Sequence, residues 1–180
     1  MVQTTAAGTA DSTERRIDVK RRLVVVWALI ALPFVGTAAM GGPGGHLGGS
    51  GAAVGTLLPH VLFHPIYIIF AIGAILVLLS LRSTTDSQVV RRVALALVVA
   101  QAVVVAGMFG EEIAVLQNGG LSAGQEIFEA PLGYTSGHFY FATFLTFPGL
   151  FGSLILLIAL TVFALLAMRA DRRLAASPRI

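Results

Sequence analysis

The hydrophobic positions of the chain fall into four long runs, separated by stretches that are polar or rich in glycine. The runs cover about 23–40, 65–81, 93–110 and 144–168. A helix needs roughly 20 apolar residues to cross the hydrocarbon core of a bilayer. Each run therefore predicts a transmembrane helix, and together they predict an all-α fold, an integral membrane four-helix bundle.

The segments outside the runs complete this division of the chain. Residues 1–22 and 169–180 are predicted as terminal tails, and 23–168 as the membrane domain. Within the second long loop, SAGQEIFEA carries Ser122 with Gln125 three residues later, which is a capping-box pattern. It predicts a short interfacial helix. The first run can also be interpreted as a cleaved signal peptide, because basic residues precede it and the small residues of AAMGGPGG follow. Its length favours a span.

Charge supports the membrane interpretation and adds an orientation. The chain is 56% hydrophobic and only 12% charged, whereas a soluble domain carries about a quarter charged residues. All twelve basic residues lie on one side of the four-span topology: Arg15, Arg16, Lys20, Arg21, Arg22, Arg82, Arg91, Arg92, Arg169, Arg172, Arg173 and Arg179. Short loops rich in Lys and Arg stay in the cytoplasm. Both termini are therefore expected in the cytoplasm, with the protein in the cytoplasmic membrane of a prokaryote.

The same basic clusters account for the formal net charge of +3 without a nucleic-acid partner. The expected partner is the lipid bilayer, with other membrane subunits or self-association as further possibilities. The chain contains no cysteine, which excludes disulfides, thiolate metal sites and thiol redox chemistry.

The candidate chemistry lies on the opposite, outer side. All four histidines fall there, and so do four glutamates: His46, His60, His64, His138, Glu111, Glu112, Glu126 and Glu129. Imidazole and carboxylate together suit iron, manganese, zinc or copper, and side chains from facing helices can converge on one buried centre. The predicted metal ligands are His60, His64, Glu111, Glu112 and His138, whereas His46, Glu126 and Glu129 are less favoured.

Two related chemistries use the same residues. Haem b can be held by two histidines from different helices, and His60, His64 and His138 are the candidate ligands. Electron transfer is the function expected of such a haem. Alternatively, histidine and glutamate can accept protons during quinol oxidation near the outer surface. No catalytic residue is identified, and whether the protein is an enzyme stays open.

The stretch LPHVLFHPIY leaves the relation of His60 to His64 undecided. Pro65 disfavours helix at the preceding residue, so the helix either begins at Pro65 or begins near Pro59 and continues through Pro65. Only in the second case do His60 and His64 lie one turn apart on one face.

Features inside the third and fourth runs predict packing. Gln101 lies near the middle of the third run, where a buried amide normally hydrogen-bonds to another helix. Gln101, Met108 and Glu112 are spaced to share one helical face. Gly107, Gly149 and Gly152 favour close helix contact.

Two other classes of protein compete with a metal or haem protein. The first is an accessory or assembly subunit of a larger membrane complex, which would have no chemistry of its own. The second is a small transporter or channel that acts as an oligomer. The second fits less well, because no acidic or basic residue lies deep in a run.

Overall fold

The structure is a computed structural model that describes residues 5–39, 57–117 and 137–176. Helices make up these ranges, apart from the connection at 85–87: α1 (Thr5–Ala39), α2 (Leu57–Thr84), α3 (Gln88–Gln117), α4 (Gly137–Phe141), a π-helical segment (Ala142–Thr146) and α5 (Phe147–Ala176). The predicted all-α fold is confirmed. The interfacial helix predicted in the second long loop lies outside the described residues, as do His46, Glu126 and Glu129.

Three helical stretches of the described chain are long and apolar enough to cross a membrane. They are His64–Thr84, Gln88–Ala114 and Ala142–Arg173. Their outward side chains are apolar and exposed, as at Ile69 (67%), Leu76 (62%) and Ile155 (68%), and such surfaces require a hydrocarbon solvent. The protein is therefore an integral membrane protein. The predicted first span, the four-span topology and the cytoplasmic location of the termini stay predictions.

The helices pack in antiparallel order. A connection of three residues, Thr85 to Ser87, joins α2 to α3, and so short a link makes the two helices antiparallel neighbours. α3 also packs on α5, and α1 packs on α2 and α5. As a result, the N-terminal end of α2 lies beside the C-terminal end of α3.

The core has two parts. The larger part lies towards the end of the protein that carries Arg22, Arg82 and Arg91, which we call the basic end. It joins α1, α2, α3 and α5 through buried leucine, valine and isoleucine side chains, among them Leu78, Leu97 and Leu157. The smaller part lies nearer the opposite end, and we call it the apolar layer. It consists of Tyr67, Ile68, Val104, Met108 and Leu150.

The contact between α3 and the π segment with α5 is close enough to require glycine. A Cβ atom at Gly107 would lie 2.8 Å from the backbone nitrogen of Thr146, and one at Gly149 would lie 2.8 Å from Val104 Cγ2. Both distances are shorter than van der Waals contact, so the close packing predicted at Gly107 and Gly149 is confirmed. Gly152 makes no such approach to the described residues, since a Cβ there would meet none of their atoms within 4 Å.

Gly107, which has a close neighbour, and Gly152, which has none among the described residues, provide a matched test of packing. Gly107→Ala should lower the free energy of unfolding by about 1–3 kcal/mol, because backbone atoms of Thr146 must move. Gly152→Ala should leave stability unchanged or raise it by up to about 1 kcal/mol through reduced chain entropy. Thermal unfolding in mild detergent measures both, and equal losses for the two variants would contradict the packing described here.

Candidate functional site

Helix α2 runs from Leu57 to Thr84 with Pro65 inside it. The second of the two predicted alternatives is therefore correct, and His60 and His64 lie four residues apart in one continuous helix. Pro65 cannot donate a backbone hydrogen bond to the residue four positions earlier, but membrane helices tolerate this loss where neighbouring groups satisfy the freed carbonyl.

His64 is the centre of a buried polar cluster. Its side chain is buried, with 1% of its surface exposed. The Nδ1 atom lies 3.1 Å from Oε2 of Glu112, and the Nε2 atom lies 3.4 Å from Oε2 of Glu111. Two consecutive residues of α3 thus approach opposite nitrogens of one imidazole ring. We refer to His64, Glu111 and Glu112 as the His64 cluster.

The two carboxylates differ in their access to the surroundings. The Glu111 side chain is 1% exposed, whereas that of Glu112 is 22% exposed. Successive residues of a helix point about 100° apart. The Glu111 side chain therefore lies inside the contact between helices, and the Glu112 side chain lies at the edge of that contact. The cluster therefore extends from a partly exposed carboxylate through an imidazole to a buried carboxylate.

Glu111 has a second partner in the π-helical segment. The Thr146 hydroxyl donates a hydrogen bond to Oε1 of Glu111. The backbone N–H of Phe147 donates to the Ala142 carbonyl five residues earlier, and Ala142 and Thr146 are buried. Such single-turn widenings occur frequently at functional sites. Thr146 is not predicted from the sequence, since one threonine among aromatic residues gives no distinctive signal.

The His64 cluster lies at the opposite end of α2 from Arg82. His64 precedes Arg82 by eighteen positions on α2, which corresponds to about 27 Å along a helix axis. The hydrocarbon core is about 30 Å thick. If Arg82 lies at one boundary, the His64 cluster lies close to the other.

A second buried polar pair lies deeper. Gln101 Nε2 donates to Ser153 Oγ over 2.7 Å, linking α3 to α5. The predicted interhelical hydrogen bond of Gln101 is thereby confirmed. Gln101 precedes Glu111 by ten positions, or about 15 Å along α3, and Val104, Met108 and Leu150 of the apolar layer occupy the positions between.

The predicted ligands are only partly brought together. His64, Glu111 and Glu112 converge, whereas the side chains of His60 and His138 lie outside the described residues. The backbones of these two histidines belong to α2 and α4. Among the residues that the structure describes, no group of three or more His, Asp or Glu side chains could hold a metal ion. The physical reason is that Glu111 and Glu112 approach different ring nitrogens, so one ion cannot contact all three groups.

Comparison with known proteins adds no family to these observations. No protein-family model, no curated protein and no solved structure matches the chain.

Two threonines of the π segment provide a test of the Glu111 contact. Thr146→Val removes the hydroxyl that donates to Glu111 while keeping the shape of the side chain, so we expect a loss of about 1–3 kcal/mol in stability. Thr143 is the matched control, because its buried hydroxyl makes no hydrogen bond to any described residue. Thr143→Val should be neutral or slightly stabilising. Chemical or thermal unfolding in detergent would contradict this assignment if Thr143→Val proved the more harmful change.

Proposed function

We propose that this membrane protein takes up and releases a proton through the His64 cluster, at the membrane face opposite the basic end. The observation that carries the proposal is the placement of two glutamates on the two nitrogens of one buried imidazole, at 3.1 and 3.4 Å. Imidazole can accept a proton at one ring nitrogen while it donates one from the other. Nothing in a purely structural polar contact requires this arrangement.

The energetic cost of the cluster supports a functional role. Ionisable side chains within a membrane-spanning segment are unfavourable by roughly 2.5–3.5 kcal/mol each at the centre, and by less near the boundary. Apolar residues of similar volume would fill the same space at lower cost. Ionisable residues that persist inside membrane segments commonly mark proton relays or ion pathways.

The geometry suggests a defined proton transfer. With Glu112 protonated and His64 neutral with its proton on Nε2, Glu112 gives its proton to Nδ1. The Nε2 proton passes at the same time to the Glu111 carboxylate, leaving Glu112 as the carboxylate and His64 as the other neutral tautomer. The Thr146 hydroxyl holds Glu111 in place. The 3.4 Å separation at Nε2 is longer than a normal hydrogen bond, so this step requires a small approach of Glu111.

Orientation follows from the charge pattern as part of the same proposal. The basic end would face the cytoplasm of a prokaryotic cell, and both tails, 1–22 and 169–180, would lie in the cytoplasm. The His64 cluster would then face the outside, within a membrane domain at 23–168. The proton would be exchanged with the outer aqueous phase through Glu112.

The relay predicts how fast the buried carboxyl group exchanges its proton. Infrared spectra of the reconstituted protein report hydrogen–deuterium exchange of a carboxylic acid through its C=O stretching band. We expect His64→Gln to slow exchange at Glu111 by about a hundredfold, the lower end of what a positioned proton-transfer group contributes. Glu111→Gln should remove the band and identify it.

Thr143→Val is the matched control, since it alters a partly buried residue of the π segment outside the relay. Its exchange rate should equal that of the wild type. If Glu111 exchanged as fast in His64→Gln as in the control, the proposed relay would be wrong. The His64 cluster would then only hold the helices together, as expected of an accessory subunit.

One observation favours a second candidate function, metal or haem binding. The continuous helix through Pro65 places His60 one turn outward of His64, and α4 begins beside the end of α3, where a Cβ at Gly137 would lie 3.2 Å from Cβ of Ala114. His60 and His138 therefore belong to the same end of the protein as His64. In this arrangement Nε2 of His64 and Glu111 would be ligands for iron, copper, zinc or manganese, and Glu112 would orient the ring from Nδ1.

Elemental analysis of protein purified in mild detergent tests the metal site. If the site binds metal, near-stoichiometric metal should be present in the wild type and in a His46→Ala control, with a large loss in the His60→Ala/His64→Ala variant. Iron would lead to an optical spectrum to detect haem. Absence of metal from all three proteins would contradict metal binding while leaving the proton relay in place.

A further inference from the structure

A groove lies between α1 and α2 at the end of the protein that carries the basic residues. Its volume is about 380 Å³, and its lining divides into a polar part and an apolar part. Asp18, Arg21, Arg22 and Ser80 form the polar part, whereas Val25 and Leu76 belong to the apolar part. Neither the His64 cluster nor its proposed function involves this region.

The polar part of the groove is organised by Arg22. Its Nε atom donates to Asp18 Oδ2 over 2.8 Å, and its NH1 group donates to the Ser80 hydroxyl. The Arg22 side chain is only 24% exposed, so these contacts hold the guanidinium against α2. The hydrogen bond from Arg22 to Ser80 thereby holds α1 against α2 at the polar part of the groove.

Arg21 differs from its neighbour. It lines the groove and is exposed, and it forms no ion pair within the described ranges 5–39, 57–117 and 137–176. The two arginines and Asp18 give the groove a net charge of +1. This charge suits a single anionic group, and a guanidinium presents paired donors that match phosphate oxygens.

The apolar part points towards the hydrocarbon. Val25 is 38% and Leu76 is 62% exposed, and both lie farther from the basic end than the arginines. Ser80 precedes the end of α2 at Thr84 by only four residues, which is about 6 Å along the helix. The groove therefore crosses the level at which lipid headgroups meet acyl chains.

We propose that this groove is a binding site for one anionic phospholipid. Its phosphate contacts Arg21 and the outer edge of Arg22, and one acyl chain lies along Val25 and Leu76. Asp18 restrains Arg22 and reduces the local charge so that a single phosphate is balanced. The apolar half favours a lipid over a soluble phosphate, which would leave that surface uncovered.

Native mass spectrometry of the full chain in detergent micelles tests the site by titration with lipids of matched acyl chains. We expect phosphatidylglycerol to bind more tightly than phosphatidylcholine. Arg21→Gln should weaken phosphatidylglycerol binding by about fivefold, the contribution of one basic residue at an anionic membrane surface. Arg91→Gln is the matched control, because it removes an exposed arginine of the same end outside the groove, and it should bind like the wild type.

Three outcomes would overturn the proposal. Equal binding of the two lipids would show that no anionic site exists. Equal losses in Arg21→Gln and Arg91→Gln would show general surface attraction. Displacement of phosphatidylglycerol by equimolar inorganic phosphate would show an anion site without a lipid component. Because Arg21 is exposed, its variant should fold, and an unchanged elution profile in size-exclusion chromatography verifies that.

Discussion

The close approach of α3 to the π segment at Gly107 is the contact on which the candidate site depends. Only a residue without a side chain lets the Thr146 backbone come this near. This approach carries the Thr146 hydroxyl to Glu111, one helical turn further along α3. Glu111 in turn lies against His64 of α2. The close packing at Gly107 thus determines where Thr146, Glu111 and His64 meet.

Polar contacts between helices recur along the length of the protein. Trp27 donates to Thr161, Gln101 donates to Ser153, and Thr146 donates to Glu111. Hydrocarbon offers no alternative hydrogen-bond partners to such groups. A shift of one helix along its neighbour would therefore break the hydrogen bond and leave both groups unpaired, which is unfavourable. Dispersion forces between leucine and valine side chains discriminate much less between registers. The paired polar groups therefore specify the alignment that the apolar core stabilises.

Much of this arrangement could be predicted from the sequence, because lipid imposes strict rules on a chain. Gln101 is an amide within an apolar run, which predicts an interhelical hydrogen bond. His64, Glu111 and Glu112 lie at the ends of predicted helices on the same side of the membrane, which predicts that they converge. Other features depend on geometry that a sequence does not encode locally. The rotation of α3 about its own axis determines which nitrogen of the His64 ring lies beside Glu111 and which lies beside Glu112. Thr146 becomes a partner only because one widened turn redirects the segment before α5.

The apolar layer beneath the His64 cluster has an electrical consequence. Val104, Met108 and Leu150 lie between the cluster and the Gln101–Ser153 pair. Moving a unit charge across an entire membrane involves about 2.3 kcal/mol per 100 mV. A charge that moves only between Glu112 and Glu111 crosses a small fraction of that field. The proposed proton transfer is therefore nearly insensitive to membrane voltage.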